Sequence, residues 1–395
     1  MLSILLVAIS LSAAAPQVEV QTLDGRSLRG TIAELGVQGL GLETADGRLS
    51  LTADQLLSVT TTQKPAAADP EATVRVNLVD GSSLVARQYG VAGGRAKITL
   101  SDGQVVEAPT AAVATVLLRQ SETLAGPWAK IVDAKRDTDL LVVGSGDAID
   151  YHRGVLGDVT ESVVQFELDG SSLPVKRSKV YGLVYHHPAG GNLPEPICQI
   201  TDAAGSEWSA RSIALSEQLQ WDTPSGVAAS APLEKIARID FSRGKIVFLS
   251  DLKPESVEFT PYFGSTATVP LLRDLYAPRE DKSLASEPLQ LDGRQYAKGL
   301  ALHSRTRIVY RLPGQFQRFQ ATVGIDDHVR PQGNVKLVIY GDDRTLLETT
   351  VGGADAPQTV DLDLSGVRRL AILADFGEAM DVADHLDLCE ARLIK

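Results

Sequence analysis

Asp24-Gly25 and Asp46-Gly47 stand 22 residues apart, and Asp80-Gly81 and Asp102-Gly103 repeat that spacing 56 residues later. An Asp-Gly pair supplies the positive φ angle of a tight hairpin, so a fixed interval between such pairs dictates repeated short antiparallel strands. The flanks agree with a duplication: QTLDGRSL at Gln21 to Leu28 parallels NLVDGSSL at Asn77 to Leu84. A more diverged third copy puts Asp147-Ala148 and Asp169-Gly170 in the two turn positions and ends in KVYGLVYHH at Lys179 to His187. A fourth runs from ICQITDAAGSEW at Ile197 to LEKIARIDF at Leu233 to Phe241.

Within a copy, apolar and polar residues alternate in runs of four to six. In the first, this predicts strands over Val18 to Leu23, Ser27 to Leu35, Gly39 to Thr44, Arg48 to Thr52 and Leu57 to Thr61, with Ala53 to Leu56 as one helical turn. About five short strands in 45 residues is the pattern of a small SH3-like or Sm-like barrel, an analogy of fold that fixes no activity. The barrels are expected over residues 16–63, 72–119, 140–190 and 195–244. Units of this size bury little surface alone, so neighbours are expected to pack in pairs or to stack. KPAAADPE at Lys64 to Glu71 reads as a flexible linker, and residues 120–139 as a helical connector in which Leu124, Trp128, Ile131 and Val132 recur at helical spacing behind Pro127.

From Lys245 the strands lengthen. Thr306, Ile308, Tyr310 and Leu312 alternate with Arg305, Arg307, Val309 and Arg311, and similar alternations recur at Phe319 to Ile325, Val335 to Ile339 and Val360 to Leu364. Such strands between Gly/Asp turns predict a jelly-roll β-sandwich over residues 245–395, which makes the whole chain all-β.

The same region carries an ordered set of motifs. They are Tyr296, Lys298, Gly299, Leu300 and His303, then Val323, Gly324 and Asp326, then Asp384, His385, Asp387, Ala391, Arg392 and Leu393, entered through IVFLSDLKP at Ile246 to Pro254. In this order they resemble the NPCBM family, a carbohydrate-binding module first noticed beside glycoside hydrolases. The resemblance implies a galactose-binding-like jelly roll that recognises a glycan. It points to Tyr296, His303, Asp326, Asp327, Asp384 and His385 as the candidate sugar-binding residues.

Each of these has a competing structural role. His303 can donate to a sugar hydroxyl, or can pin a loop to Asp326 or Asp384. Asp326, Asp327 and His328 leave the end of an apolar strand, where carboxylates can orient a sugar, ligate a structural calcium or sit in a solvated turn. Asp381, Asp384 and Asp387, spaced by three, lack the register of an EF-hand. The family often carries a tryptophan near DHLDLCEARL, where this chain has Leu388, and Trp128, Trp208 and Trp221 all precede residue 245. Ring stacking on a sugar therefore falls to Tyr262, Tyr276, Tyr296 or Tyr340, since Tyr310 points inward. His152, His186 and His187 are read as surface residues, and Asp375-Phe376-Gly377 has no kinase context.

A net charge of −12 disfavours nucleic acid and anionic membrane as partners. No pair of acids is placed across a cleft and no nucleophile stands with a base, so a non-catalytic protein without a cofactor is expected. Cys198 and Cys389 are read as buried thiols, with a bridge as the alternative. Leu2 to Leu11, followed by Ser12-Ala13-Ala14-Ala15, reads as a signal peptide over residues 1–15, too short to span a bilayer, and implies a periplasmic or extracellular protein. The expected partner is a polysaccharide. The alternative is an envelope scaffold that binds other proteins through a module no longer able to hold sugar.

Overall fold

The computed structural model describes residues 16–61, 69, 71–145, 148–188, 192–262, 276–313, 316–378 and 380–395. The signal-peptide reading at residues 1–15 and most of the linker reading at 64–71 lie outside them. The chain divides into two compact units, Met1–Arg243 and Gly244–Lys395.

In the first unit one strand plan recurs four times. Gln17–Thr22 pairs with Ser27–Gly36, which pairs with Gly39–Thr44, which pairs with Gly47–Thr52, and Leu56–Thr61 returns beside the first strand. A 3-10 turn, Ala53–Gln55, precedes that return, as the sequence predicts. The same pairings link Val74–Leu78 through Val113–Leu117 and Asp139–Ser145 through Val180–Val184. The hairpins close where Asp-Gly stands: Gly25 has φ 84° and Thr22 N–H donates to Arg26 O at 3.0 Å.

The fourth copy departs in detail. Its second strand is broken into Glu207–Ala210 and Ser212–Leu215, the first pairing with Cys198–Asp202 and the second with Leu219–Asp222. In the other copies the second strand is one piece of 10 or 12 residues, bent by a register shift. Its turn glycines are Gly205 and Gly226, at φ 86° and 85°, each preceded by small or polar residues rather than by aspartate alone.

The copies pair in a nested order. Leu56–Thr61 of the first lies antiparallel to Ile236–Asp240 of the fourth, with Val59 opposite Ile239. Val113–Leu117 of the second lies antiparallel to Val180–Val184 of the third, with Val116 opposite Leu183. Each junction buries a polar clasp. Thr61 Oγ1 donates to Ile236 O at 2.7 Å, and the Tyr89 and Tyr185 hydroxyls meet at 2.8 Å. Burial pushes both tyrosines up, Tyr185 to about 12, so the clasp is neutral across the physiological range.

Ala125–Asp133 is the α-helix among the described residues. Leu124, Trp128, Ile131 and Val132 pack on Leu140, Val142, Tyr181 and Val184, so the helical spacing marks the buried face. Gly182 lets Trp128 in, because a Cβ there would lie 2.5 Å from the indole ring. No helix among the described residues is long and apolar enough to cross a membrane.

The second unit is a β-sandwich. One sheet runs Arg279–Glu280, Gly299–His303, His385–Ile394, Arg318–Ile325, Gln358–Asp363, with Ile246–Phe248 also on His385–Ile394. The other runs Ser256–Phe259, Thr306–Arg311, Arg369–Phe376, Asn334–Gly341, Arg344–Gly352. Alternation predicts the facing residues well: Ile308, Tyr310, Phe319, Val323, Val335, Leu337 and Ile339 are buried in one core. Leu388 belongs to that core and is fully buried, so the position where the family often has tryptophan is interior here and no platform for a sugar. Cys198 and Cys389 are both buried thiols, which overturns the bridge reading.

Candidate functional site

Three strand ends gather most of the candidate residues at one edge of the sandwich. His303 ends its strand directly opposite His385, and Asp387 lies opposite Gly324 of the strand that runs into Asp326. Asp326 N–H donates to His385 O at 2.9 Å, which fixes the exit of that strand. His303 and His385 have ring centroids 5.6 Å apart, and the Tyr276 ring packs 4.2 Å from His303.

His303 is nearly buried, and its Nδ1 contacts Ser304 O at 2.6 Å. A carbonyl can only accept, so Nδ1 carries the hydrogen and a neutral ring keeps the lone pair on Nε2. This reverses the expected role: a neutral His303 offers a sugar hydroxyl an acceptor, not a donor. Its predicted anchor to Asp326 or Asp384 is indirect in the latter case. Ser304 Oγ, not the imidazole, donates to Asp384 Oδ2 at 2.5 Å. Asn334 N–H donates to Asp384 Oδ1 at 2.9 Å, so the fully buried Asp384 uses both oxygens on protein. Burial still holds this carboxyl above its ordinary value.

Asp326 and Asp387 form the least satisfied part of the cluster. Asp326 Oδ1 accepts from His328 N–H at 2.8 Å and contacts His328 Nδ1 at 2.7 Å, while its buried Oδ2 and both oxygens of Asp387 meet no hydrogen-bond partner among the described residues. Burial, then the neighbouring Asp326 carboxylate, raises Asp387 well above the usual carboxylate range. Asp387 therefore stays protonated when Asp326 is ionised, and its O–H can donate to that neighbour. Burial lowers His385, and any positive charge on the facing His303 would lower it further.

Asp387→Asn tests this arrangement through the pH dependence of stability. The folded chain holds the Asp387 proton more tightly than the unfolded chain does. Its contribution is complete below the ordinary carboxylate pKa of about 3.9 and declines as pH rises towards the raised value. Asparagine removes that decline while keeping a donor. The variant is expected to melt at a progressively higher temperature than the native chain as pH rises from 4 to 9; a difference that stays constant with pH would refute the assignment.

Asp327 and Tyr296 stand apart from this edge. Asp327 accepts from Asp292 N–H at 2.8 Å and Gly293 N–H at 2.7 Å; these amides outweigh burial and hold it below its ordinary value. Its work is to close the outer hairpin Leu289–Leu291 and Arg294–Tyr296. Tyr296 packs on that hairpin with Leu289, Leu291, Ala301 and Cys389, beneath the Arg294 guanidinium at 4.8 Å. Lys298, part of the same motif, bridges Asp251 at 2.6 Å and Asp281 at 2.9 Å.

Tyr276, Tyr262 and Asp381, which the sequence names without placing them at the site, complete the edge. Tyr276 O–H donates to Asp381 Oδ2 at 2.7 Å, and burial followed by that bond raises Tyr276 to about 12. Tyr262 N–H donates to the same oxygen at 3.1 Å, and its ring, 45% exposed, stands edge-on to Phe376 at 5.0 Å. Phe376 comes from the triplet dismissed as chance, and Gly377 beside it admits Asn334, whose O would lie 1.9 Å from a Cβ. The one signal for these in the sequence was the shortage of tryptophan, which directs attention to tyrosines. Among the described residues no group of three or more His, Cys, Asp or Glu side chains is placed to hold a metal ion. The acids expected to suit calcium, Asp326 and Asp327, accept from protein N–H groups.

Comparison with known proteins finds similarity within the second unit. Residues 247–394 match the model described as the NPCBM/NEW2 domain. Over 83 residues the chain is 37% identical to a Renibacterium salmoninarum protein named "Putative endo-alpha-N-acetylgalactosaminidase", covering 20% of this chain. The match spans only 5% of that relative's length. Among solved structures, CBM51 from Clostridium perfringens GH95 in complex with methyl-galactose is 21% identical, with TM-score 0.32, covering 38% of this chain and 99% of that one. The tandem CBM51 modules of the family 98 glycoside hydrolase from Streptococcus pneumoniae SP3-BS71 are 13% identical, with TM-score 0.32, covering 65% and 88%.

Proposed function

We propose that this chain is an exported, non-catalytic glycan-binding protein, and that the sugar docks at the sandwich edge formed by Tyr276, His303, His385 and Asp381. The match of residues 247–394 to the NPCBM/NEW2 domain supports the class of ligand. The observation that carries the site is the Tyr276 ring held against His303 by its own hydroxyl bond to Asp381. An oriented ring, the Nε2 lone pair and a carboxylate together suit a sugar's apolar face and its hydroxyls. Tyr262, the more exposed ring, is the second platform. In this reading Asp326 and Asp384 shape the edge from behind, and Tyr296 and Asp327 support the outer hairpin.

A binding role also fits the acids. Asp326 and Asp387 lie side by side in the interior, whereas glycoside hydrolysis needs two carboxyls on opposite walls of a cleft. The four strand repeats are proposed as SH3-like barrels that act as spacer and partner surface, and a periplasmic or extracellular setting goes with a polysaccharide ligand.

The test is a glycan array probed with the full chain, with galactose-, N-acetylgalactosamine- and N-acetylglucosamine-terminated glycans among the probes. Tyr276→Ala and His303→Ala are each expected to weaken the best hit at least tenfold, about 1.4 kcal/mol, while Tyr296→Ala leaves it within twofold. Folded chain that binds no glycan, or binding indifferent to both edge variants, would sink the proposal. The second reading, a protein-binding scaffold, is favoured by the saturation of Asp327 and Asp384 with protein donors. It predicts an intact edge without sugar affinity.

A further inference from the structure

Of the strands of the first unit that pair on one side only among the described residues, three lie together. They are Gly47–Thr52, Val105–Pro109 and Ala228–Ala231, the fourth strands of the first, second and fourth copies. All three border a single open groove of 1020 Å³, to which they contribute residues 50–52, 105–107 and 228–230. The equivalent strand of the third copy, Ser171–Lys176, is also paired on one side and does not border it. An unpaired edge presents a row of N–H and C=O groups at strand spacing, a template for another extended chain.

The groove has a definite chemistry. Val37 and Val105 stand in it 48% and 44% exposed. Glu34, Glu107 and Asp222 line it, and no lysine or arginine does. Glu34 and Glu107 meet only Arg48 and Arg95, at 3.4 Å and with all four side chains largely exposed, so neither charge is firmly neutralised. Trp221 also borders it, and its indole N–H is buried without a hydrogen-bond partner among the described residues. Gln104, Trp221 and Ala229 border an adjoining pocket of 200 Å³ as well, whose mostly apolar surface includes Leu100, Trp208 and Ala231 and is rimmed by Asp69, Asp202 and the Lys235–Asp102 ion pair. That volume is of the order of one or two large side chains.

We propose that this groove binds an extended segment of a partner polypeptide, which adds as a strand to the free edge of Val105–Pro109, turns an apolar side chain towards the tryptophan pocket and sets Lys or Arg against Glu34 and Glu107. Main-chain hydrogen bonds supply affinity in strand addition, and alternate side chains supply selectivity. The acidic lining selects against acidic segments, and the pocket beside Gln104 selects for an apolar anchor. This site is independent of the glycan edge.

The full chain is panned against a displayed library of random twelve-residue peptides, and enriched peptides are measured by fluorescence anisotropy. Enrichment of segments that alternate apolar residues with Lys or Arg is expected. Val105→Lys and Glu107→Lys should each weaken them at least tenfold, while Leu173→Lys on the one-sided strand outside the groove changes affinity less than twofold. Val105, Glu107 and Leu173 are exposed, so circular dichroism melting should show all three variants folded. The same peptide N-methylated at alternate residues should lose binding, because it cannot bond to a strand edge. No enrichment, affinity indifferent to Glu107→Lys, or full binding by the N-methylated peptide would overturn the proposal. So would self-association of the native chain that Val105→Lys abolishes, which would make the occupant a second copy.

Discussion

Asp384→Ala is expected to destabilise the second unit by about 2–5 kcal/mol, because it strips acceptors from two donors in a site where water cannot replace them. Ser304 and Asp384 are both fully buried, and Asp384 is the partner of Ser304 Oγ and of Asn334 N–H. The loss should lower the melting temperature by about 2–4 °C per kcal/mol for a body of this size. Asp384→Asn keeps one acceptor oxygen and should lose less than half as much. Thermal unfolding of the two variants checks this. Equal effects would mean that negative charge, rather than acceptance from Ser304 and Asn334, is what the fold requires. Because burial raises Asp384 above its ordinary value, its ionisation opposes folding; the gap between native chain and Asp384→Asn should narrow as pH rises.

Trp208→Ala should have a comparable effect on the first unit, about 3–5 kcal/mol, the usual cost of removing a fully buried tryptophan. Trp208 is 1% exposed and stands edge-on to Trp221 at 5.4 Å, a contact whose geometry adds about 0.5–1.5 kcal/mol beyond area. The strand that carries it is stitched to the second copy, since Ser209 N–H donates to Ser82 Oγ at 3.0 Å and Ser206 Oγ accepts from Val85 N–H at 3.1 Å. Urea unfolding should show a lower midpoint, and Trp208→Phe should recover most of it. A shift below about 1 kcal/mol for Trp208→Ala would mean that the tryptophan pair is not a main anchor of this packing.

Local chemistry was legible in the sequence and tertiary partnership was not. Asp24-Gly25 and Asp80-Gly81 mark hairpins because a tight turn needs a positive φ at one residue, a demand that acts over four residues. Strand bounds in the first copy differ from those read from alternation by only one residue. The fourth copy was harder because Asp202-Ala203-Ala204-Gly205 closes a turn of the same length, Asp202 N–H to Ser206 O at 3.0 Å, without an Asp-Gly pair. Nothing local says that Val59 faces Ile239, since that pairing is chosen by apolar surface across a long separation.

The site divides the same way. His303 and His385 face each other because His303 ends one strand and His385 begins its antiparallel neighbour, a pairing that the order of the motifs does not state. The three acids spaced by three go to different partners: Asp381 to Tyr276, Asp384 to Ser304 and Asp387 beside Asp326. A chain entering an extended strand at His385 turns successive side chains to opposite faces, so helical-looking spacing there cannot converge. Tyr276 was only one of several tyrosines until Asp381 and His303 fixed it in place.

The nested order of the four copies has a consequence for how the chain is made. Tyr89 and Tyr185, 96 residues apart, can clasp as soon as the third copy has left the ribosome. Thr61 must wait for Ile236, 175 residues further along, so the earliest copy to be synthesised is among the last to find its partner. Until then the outer edge of Leu56–Thr61 is unclaimed, and a second nascent chain on the same messenger could pair with it. Truncation at the end of the third copy should therefore leave the inner pair assembled and the first copy prone to aggregate. The same nesting sets the first and last strands of the unit on either side of Leu56–Thr61, close enough that a whole body can be inserted into, or cut from, a larger chain at little cost to its neighbours.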